Sequence, residues 1–239
     1  MIELRNITKT FGNFVAVDGL TLTVNAGEFF GFLGPNGAGK TTTIKMIAGL
    51  FSPTKGEILI NGFNTVTQPI ETKQRLAYVP DQPFLYDKLS GREFLYFVGG
   101  LYKIPKEKLH DIVTQLIDHF EIGTWVDKRT ENYSQGMRQR ITIAAALIHS
   151  PRTIVIDEPM VGLDPRSAKI VRDTLRDQAQ KGVSIFMSTH SLPVAEELCD
   201  RIGIINEGRL VFCDGQEQLK QYKERLDGKF ESVFLELTK

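Results

Sequence analysis

Apolar positions along the chain fall into three regimes. From residue 1 to about 80, short strand-like runs alternate with turn signals, as where Ile58-Leu59-Ile60 gives way to Asn61-Gly62. Between about 84 and 150 the spacing turns helical. Leu109, Ile112, Val113, Leu116, Ile117 and Phe120 follow the i, i+3, i+4, i+7, i+8, i+11 progression of one buried helix face. From 153 to 213 buried strands alternate with helices again. Thr153 to Asp157 and Val183 to Thr189 read as strands, and Arg201–Ile205 and Arg209–Cys213 as a pair joined by the hairpin turn Asn206-Glu207-Gly208. The pattern predicts an α/β sheet interrupted by a helical insertion, in one domain spanning 1–239. Its α/β core takes 1–83 and 151–213, its helical subdomain 84–150 and its C-terminal tail 214–239. The tail is polar until Val233, Phe234, Leu235 and Leu237, a set that suits a short helix or a strand equally.

Composition narrows the class. The chain has 239 residues, 41% hydrophobic and 24% charged, enough to bury a full core. Lys plus Arg and Asp plus Glu both total 29, which argues against a strongly basic surface, so no nucleic-acid partner is expected. No stretch approaches the ~20 apolar residues of a membrane-spanning helix, and Ile141 to Ile148 is the longest candidate. The start, Met1-Ile2-Glu3-Leu4-Arg5-Asn6, lacks the basic region and apolar run of a secretory signal, so a cytoplasmic chain is expected. Cys199 and Cys213 have no metal-ligand spacing and read as reduced packing residues.

The chemistry concentrates in two runs. Gly34-Pro35-Asn36-Gly37-Ala38-Gly39-Lys40-Thr41 fits G-x-x-x-x-G-K-[ST], after a buried strand (Phe29 to Leu33) and before a helix with Ile44, Ile47 and Ala48 on one face. Glycines let consecutive N–H groups turn toward phosphate oxygens, and the helix adds its positive end. Lys40 is placed to bridge the β- and γ-phosphates and the Thr41 hydroxyl to ligate Mg2+. The second run, Thr153 to Asp157 followed by Glu158, ends a β-branched strand in two carboxylates at the sheet edge where ligands bind. Asp157 is expected to hold the metal and Glu158 to take a proton from an attacking water.

Three further segments resemble the ATP-binding subunits of ABC transporters. Tyr133-Ser134-Gln135-Gly136-Met137-Arg138-Gln139-Arg140 is similar to their signature motif, and Asp157 through Pro165 to their Walker B strand and D-loop. Ser188-Thr189-His190 resembles their switch-histidine segment. The resemblance runs from Ile2 to about Val211 and implies a P-loop NTPase core, a mixed sheet with flanking helices, an antiparallel β subdomain and a helical insertion carrying the signature. It implies an ATPase that binds ATP and Mg2+, with His190 joining Glu158 and Lys40 in catalysis. Nucleotide contacts then fall to Phe11, stacking on adenine, with Val17, Asn36, Gly37, Ala38, Gly39, Lys40, Thr41 and Thr42. Ser134, Gly136 and Met137 are expected to reach ATP held by an opposite subunit, either a second copy or a related ATPase.

Two departures from the family pattern stand out. Tyr133, Gln135 and Met137 replace three of the five usual signature residues, while Ser134 and Gly136 are kept. After Pro80, where the family has Gln, this chain has Asp81 and then Gln82, and either is a candidate metal or nucleotide sensor. Beyond them, six aromatics between Phe84 and Tyr102 suit a groove that takes a short helix from a transmembrane permease, about a third of them facing that partner. The resemblance therefore implies a peripheral subunit on the cytoplasmic face of the membrane, of the bacterial export type. The alternative is a soluble ATP-gated switch of the same superfamily. Such switches usually need a second cassette or a long coiled-coil insertion, for which 239 residues leave no room. A GTPase is disfavoured by the lack of an Asn-Lys-x-Asp segment.

Overall fold

The computed structural model describes residues 1–239. Two long strands open the chain, β1 (Ile2–Phe11) and β2 (Phe14–Val24), followed by β3 (Phe29–Leu33) and α1 (Lys40–Ile47). Then come β4 (Lys55–Ile60), β5 (Phe63–Asn64), α2 (Pro69–Lys73) and β6 (Leu76–Val79). The insertion carries α3 (Gly91–Leu101), α4 (Lys106–His119) and α5 (Gln135–Leu147). The chain returns through β7 (Thr153–Asp157), α6 (Pro165–Gln180), β8 (Ser184–Ser188), α7 (Leu192–Leu198), β9 (Arg201–Asn206) and β10 (Arg209–Gly215). It ends in α8 (Gln216–Arg225) and α9 (Phe230–Leu237).

Two sheets form. The larger has the order β10-β9-β3-β8-β7-β6 and is parallel except for β10, while β2-β1-β4-β5 is antiparallel. The continuous apolar runs of the central strands follow from cover on both faces. Along β3, Phe30 and Phe32 enter the cluster under the small sheet, whereas Phe29 and Leu33 enter the cluster under the helices. β7 and β8 divide the same way, Val155 and Phe186 to one side, Ile154, Ile156, Ile185 and Met187 to the other. Phe186 packs on Phe30 and Phe32 with ring centroids 5.6 and 5.1 Å away. Each such ring removed from water contributes roughly 1.5–3 kcal/mol. The helical insertion shares the second cluster through Leu109, Val113, Ile117 and Phe120 of the predicted face.

The β9–β10 hairpin turns at Glu207 and Gly208, whose φ angles of 47° and 79° are those of a two-residue primed turn. Other segments depart from the reading of the pattern. The first strands are long, at 10 and 11 residues, and register shifts along β1 interrupt their alternation, so that the sequence shows it only in short pieces. The short helix α2 falls within the region read as strands. β10 runs on to Gly215, and the rest of the tail forms two helices. Phe230 and Val233 are buried, but Leu235 is exposed. No helix is long and apolar enough to cross a membrane.

Candidate functional site

Every strand of the large sheet's parallel part ends on one edge, and the loops after β3, β6, β7 and β8 meet there. β3 is wholly buried up to Leu33. The chain then passes so close to its neighbours that a Cβ at Gly34 would lie 2.3 Å from the Ile205 carbonyl oxygen. At Gly39, φ is 110° and a Cβ would lie 2.5 Å from the Ala16 carbonyl oxygen, so only glycine fits. Gly39 precedes α1 with no side chain capping the helix, which leaves its first-turn N–H groups open to an anion. Lys40 Nζ donates to the carbonyls of Gly34 (2.7 Å) and Pro35 (3.0 Å). Burial lowers the Lys40 pKa, and the carboxylates of Glu158 and Asp157 act against that.

Asp157 closes β7 and is almost fully buried, its Oδ1 accepting from the Ser188 hydroxyl on the neighbouring strand. Burial raises its pKa, the Ser188 bond works against this, and the carboxylates of Asp81 and Glu158 push it further up. Glu158 takes φ of 49°, in the left-handed region, with its N–H donating to the Ser188 carbonyl at 3.1 Å. Such strain in a non-glycine residue recurs at functional positions. Its Oε1 lies 2.8 Å from His190 Nδ1, and its Oε2 accepts from the Thr189 hydroxyl at 3.3 Å. A carboxylate only accepts, so Nδ1 holds the proton there.

These groups wall one cleft of about 980 Å³. Its lining includes Asn36, Gly37, Gly39, Lys40, Thr41 and Thr42 from the loop, Asp81 and Gln82 after β6, and Asp157, Glu158 and His190. The side chains of Ala38 and Val17 are buried in the core beneath the loop. Phe11 is also off the wall. Its ring meets Phe51 edge-on at 5.7 Å, with Lys9 Nζ 5.1 Å from its centre. Its cross-strand partner Phe14 lines the cleft instead, with Ala16. The tight Gly12-Asn13 turn between the two rings hides this difference from the sequence.

Ser134, Gly136 and Met137 likewise do not line this chain's cleft, whereas Gln135 and Arg138 do. Ser134 is the N-cap of α5, its Oγ accepting from the Met137 N–H at 3.3 Å. Pro83, Gln135, Arg138 and Val161 were visible only as members of motifs. Beside the cleft a second cavity of about 550 Å³ runs along Phe84 to Lys88. Of the six clustered aromatics, Phe84, Tyr86 and Phe97 are exposed and touch one another, with centroids 5.7 and 5.2 Å apart. Phe94 is buried, Tyr96 bonds His110 Nδ1 at 2.7 Å, and Tyr102 stacks on His149.

The cleft suits Mg2+ by its donors. Thr41, Asp81, Gln82 and Asp157 offer hard oxygens of the kind Mg2+ takes. No group of three or more His, Cys, Asp or Glu side chains is placed to hold a metal by itself. That fits an ion shared with phosphate oxygens, as Mg2+ usually is.

Comparison with known proteins agrees with this architecture. The ABC transporter family profile matches residues 17–161, more than half of the chain. The chain is 38% identical over 210 residues to the Nod factor export ATP-binding protein I of Burkholderia lata, covering 88% of this chain and 69% of that protein. A solved ATP binding subunit of an ABC transporter superposes with a TM-score of 0.92 at 30% identity, across 100% of both chains. A dimeric bacterial ABC transporter cassette superposes with a TM-score of 0.83 at 25% identity, over 90% of this chain and 99% of that one. With a Gly-rich loop and paired carboxylates on one sheet edge and a family match across them, the chain belongs to the ABC transporter family as an ATP-binding subunit.

Proposed function

We propose that this subunit hydrolyses ATP in the cleft and uses ATP-driven pairing of two subunits to power export through a separate transmembrane permease. The observation that carries the proposal is the convergence of Lys40, Asp157, Glu158 and His190 with the open N-terminus of α1 on one cleft. In this reading the first-turn N–H groups and Lys40 hold the β- and γ-phosphates, and Phe14 offers the base an aromatic face. Thr41, Asp157 and either Asp81 or Gln82 would hold Mg2+, which when bound offsets phosphate charge. Glu158 accepts the proton of the attacking water, and His190, hydrogen-bonded to it, fixes its orientation beside the γ-phosphate.

Ser134, Gly136 and Met137 lie off their own cleft, which supports a role in completing the cleft of an opposite subunit. The partner is a second copy or a related ATPase, and the likeness to a dimeric cassette supports the pairing. The export direction rests on the Nod factor export relative. The exposed aromatics Phe84, Tyr86 and Phe97 favour a membrane-coupled role over a soluble switch, and they offer a permease helix its anchors. The chain would then act as one domain, peripheral on the cytoplasmic face of the membrane.

Glu158→Gln is expected to keep ATP binding and lower turnover by roughly 10²–10⁴. Lys40→Ala is expected to lose nucleotide binding. Phosphate release and titration with a fluorescent ATP analogue measure the two effects, and normal turnover in Glu158→Gln removes Glu158 from the role of base.

A further inference from the structure

We infer that Arg138 is a positioning residue that transmits the charge state of the nucleotide cleft to the aromatic groove. The inference rests on the proposed reading of the cleft as an ATP site. Two cavities lie side by side, the cleft and the groove along Phe84 to Lys88, and Pro83 and Arg138 line both. They are the wall between them. Pro83 is buried and fixed in shape, so the wall's movable part is the Arg138 side chain.

Arg138 is loosely held. Its Nε donates to the Tyr133 carbonyl at 3.4 Å, and its Nη2 stands 3.9 Å from Asp87 Oδ1, on the groove side. A guanidinium has five donors, and these two long contacts are all its side chain makes. The other cation of the cleft is engaged, with Lys40 donating to the Gly34 and Pro35 carbonyls. Anionic phosphate entering the cleft therefore finds Arg138 as the cation with least to give up. Asp87 is 63% exposed and competes weakly for it.

The groove side is laced to the signature segment. The Thr130 hydroxyl donates to the Tyr86 carbonyl at 2.9 Å and the Thr130 N–H to the Leu89 carbonyl at 2.9 Å. The Glu131 N–H reaches the Asp87 carbonyl at 3.3 Å, and Lys88 pairs with Glu131 at 2.6 Å. The loop bearing Phe84 and Tyr86 and the segment leading to Ser134 thus move together. Arg138, one turn into α5, is their charged link to the cleft. Nucleotide drawing the guanidinium away from Asp87 re-seats this unit, and by reciprocity an occupant of the groove resets Arg138.

The test is amide hydrogen exchange over residues 83–89, with and without a non-hydrolysable ATP analogue plus Mg2+. It is run on the parent chain, Arg138→Gln, Arg138→Lys and Asp87→Asn. The parent is expected to show a several-fold change in exchange on binding. With each protein saturated by the analogue, Arg138→Gln is expected to lose most of that change, with Arg138→Lys restoring part of it and Asp87→Asn diminishing it from the groove side. An undiminished response in Arg138→Gln at equal saturation, or no response in the parent despite binding, overturns the coupling role alone. Failure of the parent to bind the analogue overturns the ATP-site reading and the inference with it.

Discussion

His149, just beyond α5, joins the helical insertion to the strand that leads into the Asp81–Gln82 loop, and its protonation is expected to loosen that joint. Its ring stacks on Tyr102 at 3.8 Å with a 5° interplanar angle. Its Nε2 lies 3.3 Å from the Leu76 carbonyl, which can only accept, so Nε2 holds the proton. Nδ1 is buried without a partner. Burial pulls the pKa from 6.5 down to about 4, and the bond to Leu76 opposes this with smaller effect. Between those two values the unfolded chain binds a proton that the native ring does not, so stability falls as pH drops through this window and levels off below it.

At about 1.4 kcal/mol for each pH unit the full difference is about 3.5 kcal/mol, and screening of a partly solvated ring reduces it to about 2 kcal/mol. His149→Phe keeps a flat ring on Tyr102 and removes the titration. Urea unfolding followed by circular dichroism, at intervals from about pH 7 to pH 4.5, measures both proteins. Near neutrality the variant is expected within about 1 kcal/mol of the parent, since it gives up one weak hydrogen bond. Toward the acid end the parent is expected to lose about 2 kcal/mol more than His149→Phe. Carboxylates held below their usual range by hydrogen bonds and ion pairs, such as Glu93 and Asp127, titrate alike in both and cancel. Parallel stability curves for the two proteins refute the reasoning.

Two further substitutions probe the site and its support. Phe14→Ala is expected to weaken nucleotide binding by roughly 5–10-fold, for the loss of one aromatic face, and Phe11→Ala by less than about threefold. A fluorescent-analogue titration giving the opposite order returns the stacking role to Phe11. Tyr133→Phe is expected to cost about 1–3 kcal/mol in urea unfolding with an unchanged slope. Its hydroxyl accepts from the Gly91 N–H at 3.0 Å and reaches the Val126 carbonyl at 3.1 Å in a buried corner.

The amino-acid sequence determined those features whose physical cause is local. The run from Thr153 to Asp157 had to be a buried strand, since β-branched residues without a polar face need cover on both sides. The spacing of glycines dictated a tight turn into α1, because Gly34 and Gly39 stand where a side chain would strike backbone. Ser134 read as a helix start, and its hydroxyl caps α5. The Glu207-Gly208 turn was legible because a two-residue hairpin needs positive φ at both positions.

What the sequence left open depends on contacts between distant segments. The sequence pointed to Phe11, but Phe14 lines the cleft, because the β1–β2 hairpin leans Phe11 on Phe51, which no run of local residues encodes. Periodicity did not distinguish helix from strand in the tail, where burial of Phe230 and Val233 on the main core decides. Arg138 looks like any surface cation of a helix until the fold sets it and Pro83 between two cavities. Chain-local preferences fix an element through its own backbone and neighbours. A wall shared by loops after four different strands exists only once packing has brought those loops together, and tertiary structure alone assigned its members.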